Sequence, residues 1–211
     1  MDAGASRSDE TAEFWEALYR ERPRIWSGKV NPVLAEEAQL LPAGRVLDLG
    51  CGEGGDAIWF AARGWTVTAV DVAQVALDRA AQHAAEAGVT GIAWERHDLT
   101  RSLPQGPFDL VSAQFLQSPL DFPRIDVLRS AAGTVVPGGV LLSVSHAAAP
   151  DWSNHRDHHF PSPLEELEEL ALDPDTWEVL RCEVVEREGT GPDGQPGILA
   201  DGVIAVRRRG I

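Results

Sequence analysis

The densest chemical signal in this 211-residue chain is Val46-Leu47-Asp48-Leu49-Gly50-Cys51-Gly52-Glu53-Gly54-Gly55-Asp56, an apolar run that enters four glycines and then a helical stretch. Glycines at such a junction let the backbone turn sharply and approach a ligand closely. Gly50, Gly52 and Gly55 also satisfy the G-x-G-x-x-G spacing of dinucleotide sites, so the glycines alone leave the cofactor open. The charges around them are more selective. Asp48 before the turn and Glu53 within it would oppose a diphosphate and attract an ammonium or sulfonium group. Asp71 lies 71 − 48 = 23 residues beyond Asp48, at the end of the next apolar run, where a carboxylate accepts hydrogen bonds from ribose hydroxyls. Asp98-Leu99 follows the third run and offers a carboxylate and an apolar side chain to a base.

Further on, His146, His155, His158 and His159 crowd a segment rich in Pro, Asp and Trp. His146 is the first candidate for a general base. His155 and His158, with Asp151 or Asp157, are residue types that bind zinc, but a loop without regular structure or a paired cysteine is poor preorganisation. No metal is expected, and residues 147–163 read as a substrate-facing loop. Trp26 sits in a Pro- and Gly-flanked linker, where it suits either a core anchor between helices or a lid over the cofactor. Trp59 and Trp65 read as packing residues.

These groups need a scaffold, and periodicity supplies one. Phe14, Trp15, Leu18 and Tyr19 recur at helical spacing, predicting a helix over 9–21 with Ser8 as its cap, ended by Pro23. A second helix starts at Pro32 and closes at Pro42. Short apolar runs at 46–49, 66–70, 91–95, 108–113 and 140–144 then alternate with helical stretches at 56–62, 74–86 and 125–134. Such alternation predicts an α/β, doubly wound, mostly parallel sheet of Rossmann-like type. Leu164, Leu167, Leu170 and Leu172 with Glu165, Glu166, Glu168 and Glu169 predict an amphipathic helix with an acidic outer face. The tail carries two strand-like runs, 177–187 and 198–207, around a Gly/Pro/Asp loop too short for a crossover helix. They are expected to form an antiparallel C-terminal hairpin, giving seven strands in all.

Val46 to Ala61, with Asp71 and Asp98, resembles motifs one to three of the class I S-adenosylmethionine-dependent methyltransferases. Asp56 to Trp65, and the lead-in from Phe14-Trp15 through Trp26 to Asn31, look closest to the thiopurine and tellurite-resistance branch. The resemblance implies a role for each matching position. Gly50 and Gly52 would line the methionine portion, with Asp48 near its amino group. Asp71, with Val72 beside it, would hold the ribose; Asp98 and Leu99 would frame the adenine, and Trp26 would cover the cofactor. Phe108 to Phe115 looks like the fourth motif and would place Gln114 and Phe115 beside the sulfonium and the acceptor. Gln114 and His146 are therefore the candidate catalytic residues.

Composition bounds the rest. At 211 residues one domain is expected, a helical lid at 1–42 on a core at 43–211. Lys plus Arg is 18 against 33 acidic residues, a formal charge of −15, which disfavours nucleic acid and anionic membranes as partners. Two cysteines and a polar N-terminus point to the cytoplasm. The expected activity is methyl transfer from S-adenosylmethionine, leaving S-adenosylhomocysteine, to a small-molecule acceptor such as a thiol, by a monomer or dimer. The competing readings are an NAD(P)-dependent oxidoreductase on the same glycine turn and a cofactor-binding module without catalysis.

Overall fold

A computed structural model describes residues 7–150, 152, 160–191 and 193–210. The elements run α1 (Arg7–Glu21), α2 (Pro32–Ala38), β1 (Arg45–Leu49), α3 (Gly55–Ala61), β2 (Thr66–Asp71), α4 (Gln74–Glu86), β3 (Ile92–Arg96), β4 (Phe108–Gln114), α5 (Arg124–Ala132), β5 (Val135–His146), α6 (Pro163–Leu170), β6 (Trp177–Thr190) and β7 (Pro196–Arg208). His155, His158 and His159, with Asp151 and Asp157, lie outside the described residues, so the histidine-loop reading has no structural counterpart.

The seven strands form one sheet in the order β3-β2-β1-β4-β5-β7-β6, parallel from β3 to β5. β7 pairs antiparallel with both β5 and β6. Side chains alternate across each strand, so the sheet has two apolar faces that each need a cover. Val46, Val67, Leu110 and Leu142 pack with Val33 and Leu34 of α2 and Phe60 of α3. Leu47, Leu49, Val111 and Leu141 pack on the opposite face with Leu128 of α5 and Leu170 of α6. Among the described residues, no helix is long and apolar enough to cross a membrane.

Several boundaries move for physical reasons. α1 begins at Arg7, so Ser8 lies inside the helix and is not its cap. α2 is capped by Asn31, whose Oδ1 accepts the Val33 N–H at 2.8 Å, and its buried Val33 and Leu34 belong to the core. β5 starts at Val135, well before the expected 140, because Pro137-Gly138-Gly139 is absorbed as an irregularity: the register against β4 shifts between Phe108 and Leu110, and Gly138 takes φ +86°.

The outer face expected of α6 is also rotated. Leu164 is exposed, whereas Glu166 is buried and forms an ion pair with Arg124 at 2.6 Å. Arg124 also donates to Ser143 Oγ at 2.7 Å, and the Ser145 hydroxyl donates to Glu166 at 3.3 Å, so the cluster ties α5 and α6 to β5. Removing one member of such a pair strands a charge away from water. Arg124→Met is expected to lower unfolding free energy by about 3–5 kcal/mol in urea denaturation, and Arg124→Met/Glu166→Leu to recover most of the loss.

Candidate active site

At the C-terminal ends of β1 and β2 the chain builds a tight turn. Cys51 N–H donates to the Val70 carbonyl and Gly54 N–H to the Cys51 carbonyl, both at 2.9 Å. Gly52 has φ +52°, and a Cβ there would stand 2.9 Å from Tyr19 Oη and 3.1 Å from Trp26 Nε1. Gly54 has φ +84° and would drive a Cβ to within 2.8 Å of Ala80, so glycine is what lets α4 close on the turn. Asp71, at the tip of β2, is buried and accepts Gly52 N–H and Ala73 N–H, each at 2.9 Å. Its carboxylate plane is thereby fixed.

The turn opens on a cavity of about 500 Å³. Asp71, Val72, Asp98 and Leu99 lie on one part of its wall, and Gly50, Gly52 and Trp26 border the turn. Gln114, Phe115, His146 and Arg187 form the part beyond the ends of β4, β5 and β6. Gln114 Nε2 donates to Ser112 Oγ at 3.0 Å, and its buried Oε1 has no hydrogen-bond partner. Phe115 takes φ +51°, rare for a bulky residue and a mark of backbone held by its surroundings. It stacks on the His146 ring at 4.4 Å and 26° between planes. Desolvation holds the His146 imidazole below its usual range; Asp201 opposes that shift and Arg187 adds to it.

Residues 46–139 match the model of a methyltransferase domain family. Among curated relatives, the chain is 35% identical over 114 residues to ribosomal RNA small subunit methyltransferase C of Chromohalobacter salexigens, covering 52% of this chain and 34% of that protein. It is 30% identical over 141 residues to the 2-heptyl-1-hydroxyquinolin-4(1H)-one methyltransferase of Mycobacteroides abscessus, covering 64% and 60%. The chain spans between about a third and three-fifths of the length of the curated relatives it matches. A solved structure from work on the conversion of a disulfide bond into a thioacetal group during echinomycin biosynthesis superposes with TM-score 0.71 at 24% identity, covering 94% of this chain and 93% of that one. TehB from Haemophilus influenzae gives TM-score 0.69 at 17% identity, covering 92% and 67%. The chain shares the Rossmann-like fold of these solved structures.

Around the glycine turn, two acidic residues differ from what the sequence suggested. Asp48 is not on the cavity wall; it is 2% exposed beneath the turn, with Oδ2 unpartnered. Glu53 is no free negative charge. Its Oε2 accepts Ile25 N–H and Trp26 N–H at 3.1 Å each, and its Oε1 pairs with Arg79 at 3.1 Å. Trp26 is half exposed and its indole N–H donates to Tyr19 Oη at 2.9 Å, which fixes the linker over Gly52. Asp98 caps its own turn, accepting Thr100 N–H at 3.0 Å and the Thr100 hydroxyl at 2.7 Å, so one carboxylate edge is already engaged.

Sequence reasoning gave no role to Arg79, Arg187, Asp201 or the carboxyl of Asp56. Asp56 was legible as a helix-start acid but not as a wall residue; its Oδ1 accepts Asn31 N–H at 2.8 Å. Burial pushes Asp56 up to about 6, with the Asn31 N–H opposing. Burial likewise raises Asp48, with Asp56 and Asp71 adding to it, and raises Asp71 against its backbone donors. A carboxyl raised in the folded state binds its proton more tightly there, so its stabilising effect is complete below about pH 4 and lost as pH climbs through about 6. The ligand-free protein is expected to lose stability between pH 4.5 and 7 in urea denaturation, and Asp56→Asn to flatten that slope; an unchanged slope would contradict the assignment.

Proposed function

We propose that the chain is an S-adenosylmethionine-dependent methyltransferase acting on a small-molecule acceptor. The observation that carries this reading is the charge around the glycine turn: Asp48 and Asp71 are buried, Asp56 is half-buried on the cavity wall beside them, and none of the three makes an ion pair among the described residues. A diphosphate would meet three carboxyl groups, whereas an ammonium or sulfonium centre would offset their desolvation. The dinucleotide oxidoreductase reading loses its support there.

The residues present fit the cofactor. Asp71, oriented by two backbone donors, keeps acceptor capacity for two ribose hydroxyls. Gly50 and Gly52 would flank the methionine portion, Val72, Asp98 and Leu99 the adenosine, and Trp26 would close over it as part of a lid formed by residues 23–31. Asp48 contributes from beneath the turn by its field. When bound, S-adenosylmethionine supplies an electrophilic methyl group. The chain's part is to align the acceptor and exclude water. The unpartnered Oε1 of Gln114 is placed to accept a hydrogen bond at the reacting end. His146, kept neutral, is available to take a proton from a hydroxyl acceptor; an already ionised thiol needs no base.

Small acceptors are favoured over nucleic acid by the −15 charge. Likeness to TehB and the Phe14-Trp15 to Asn31 lead-in support the thiopurine and tellurite-resistance branch, hence a soft nucleophile, and cysteine usage suits a cytoplasmic setting. Calorimetric titration with S-adenosylhomocysteine is expected to give micromolar binding, with none for NAD. Asp71→Ala is expected to weaken binding at least about a hundredfold, since two hydrogen bonds to a charged group are lost. Preference for NAD, or an Asp71→Ala affinity equal to the parent's, would sink the reading.

A further inference from the structure

The acceptor half of the cavity contains a cation that neither the glycine turn nor the base requires. Arg187, on β6, lies on the wall with its side chain 32% exposed, and it pairs with Asp201 of β7, whose side chain is 0% exposed. Asp201 engages Nε and Nη2, so one edge of the guanidinium is held from behind. The guanidinium carbon stands 5.9 Å from the centroid of the Phe115 ring, whose own contact is the His146 stack. No described residue bonds Nη1. Lys29 is the other permanently charged cation on the wall; it belongs to the exposed linker, with its N–H on Ser27 Oγ, at the glycine end.

A guanidinium held by a buried carboxylate has already lost its conformational freedom, so little further ordering opposes a ligand at its remaining edge. The Phe115 ring stands beside it, and Leu116 and Phe122 add apolar surface to the same cavity. We propose that Arg187, positioned by Asp201, is an anion subsite that selects an acceptor whose apolar body carries a carboxylate. The inference rests on the methyl-transfer reading for the word acceptor, but the subsite is defined by its own geometry. Its polarity is opposite to that of the glycine end: three carboxyl groups there suit a cation, and one oriented guanidinium here suits an anion. A carboxylate on Arg187 would hold the acceptor against the Phe115 and His146 rings.

The test uses benzoate and benzamide, which share shape and differ in charge, titrated into the full chain with and without saturating S-adenosylhomocysteine and followed by the His146 ring resonances, assigned by their loss in His146→Gln. Benzoate is expected to bind about tenfold or more tightly than benzamide, the effect of one charge-assisted hydrogen bond. Arg187→Lys should keep part of that preference and Arg187→Gln/Asp201→Asn should abolish it, the double variant leaving no carboxylate buried alone. Equal binding of the two ligands, no benzoate response in either state, or a preference that survives the double variant would overturn the subsite. S-adenosylhomocysteine affinity should be the same in the double variant as in the parent. Failure of S-adenosylhomocysteine to bind at all would count against the cofactor reading, and the benzoate result in the ligand-free protein would still decide the subsite.

Discussion

Moving a carboxylate out of water costs several kcal/mol unless something compensates, and the glycine turn concentrates that cost at the buried Asp48 and Asp71, with the half-buried Asp56 beside them. Backbone donors meet part of it: Gly52 and Ala73 for Asp71, Asn31 for Asp56. Asp48 has one oxygen without any partner. Desolvation raises all three carboxyls above their usual range. A cation entering the cavity would favour their ionised forms, so ligand uptake and proton release are coupled by the same electrostatics. A core free of this strain would be more stable and would have no preference for a positively charged ligand.

Holding that turn in shape depends on Glu53, the one carboxylate of the group with a full set of partners. Through Ile25, Trp26 and Arg79 it joins the linker, the turn and α4. Arg79 also donates to the Tyr19 carbonyl, and Tyr19 accepts from the Trp26 indole, so α1 enters the same network. The linker thus follows the position of the glycine loop. Moving Trp26 away would break its backbone hydrogen bond to the buried Glu53 carboxyl, which sets a cost on opening the linker.

The parallel core was legible because its evidence is local: apolar runs of strand length, a glycine junction and carboxylates near the tips of β1, β2 and β3. Asp71 could be placed from spacing alone, since a residue ending β2 must neighbour the turn that follows β1. What sequence could not show was pairing between distant side chains. Glu53 looked like a free charge because Arg79 lies one helix away, and Glu166 looked solvent-facing because Arg124 lies on a different helix. Pro137-Gly138-Gly139 carried a turn signature that tertiary pairing with β4 overrode. The Arg187–Asp201 pair was within reach, since a hairpin centred on Gly191 to Gly194 sets these residues near one another across β6 and β7, but only once the register is known.

Topology divides the cavity in a way that bears on its chemistry. The glycine end is built from the tips of the parallel strands β1, β2 and β3, of which β1 and β2 lie inside the sheet with largely buried side chains. Beyond β4 the wall comes from Phe115, His146, Arg187 and, behind them, Asp201, on strands that include the antiparallel hairpin at the sheet edge. Inserting β7 between β5 and β6 is what brings Asp201 opposite His146 in register and lets Arg187 reach over the Phe115 ring. A substitution in the hairpin therefore alters charge and shape at the acceptor end without touching the turn, whereas a substitution in the turn disturbs the core. The two ends of one cavity can in this way carry opposite charge preferences on a single fold.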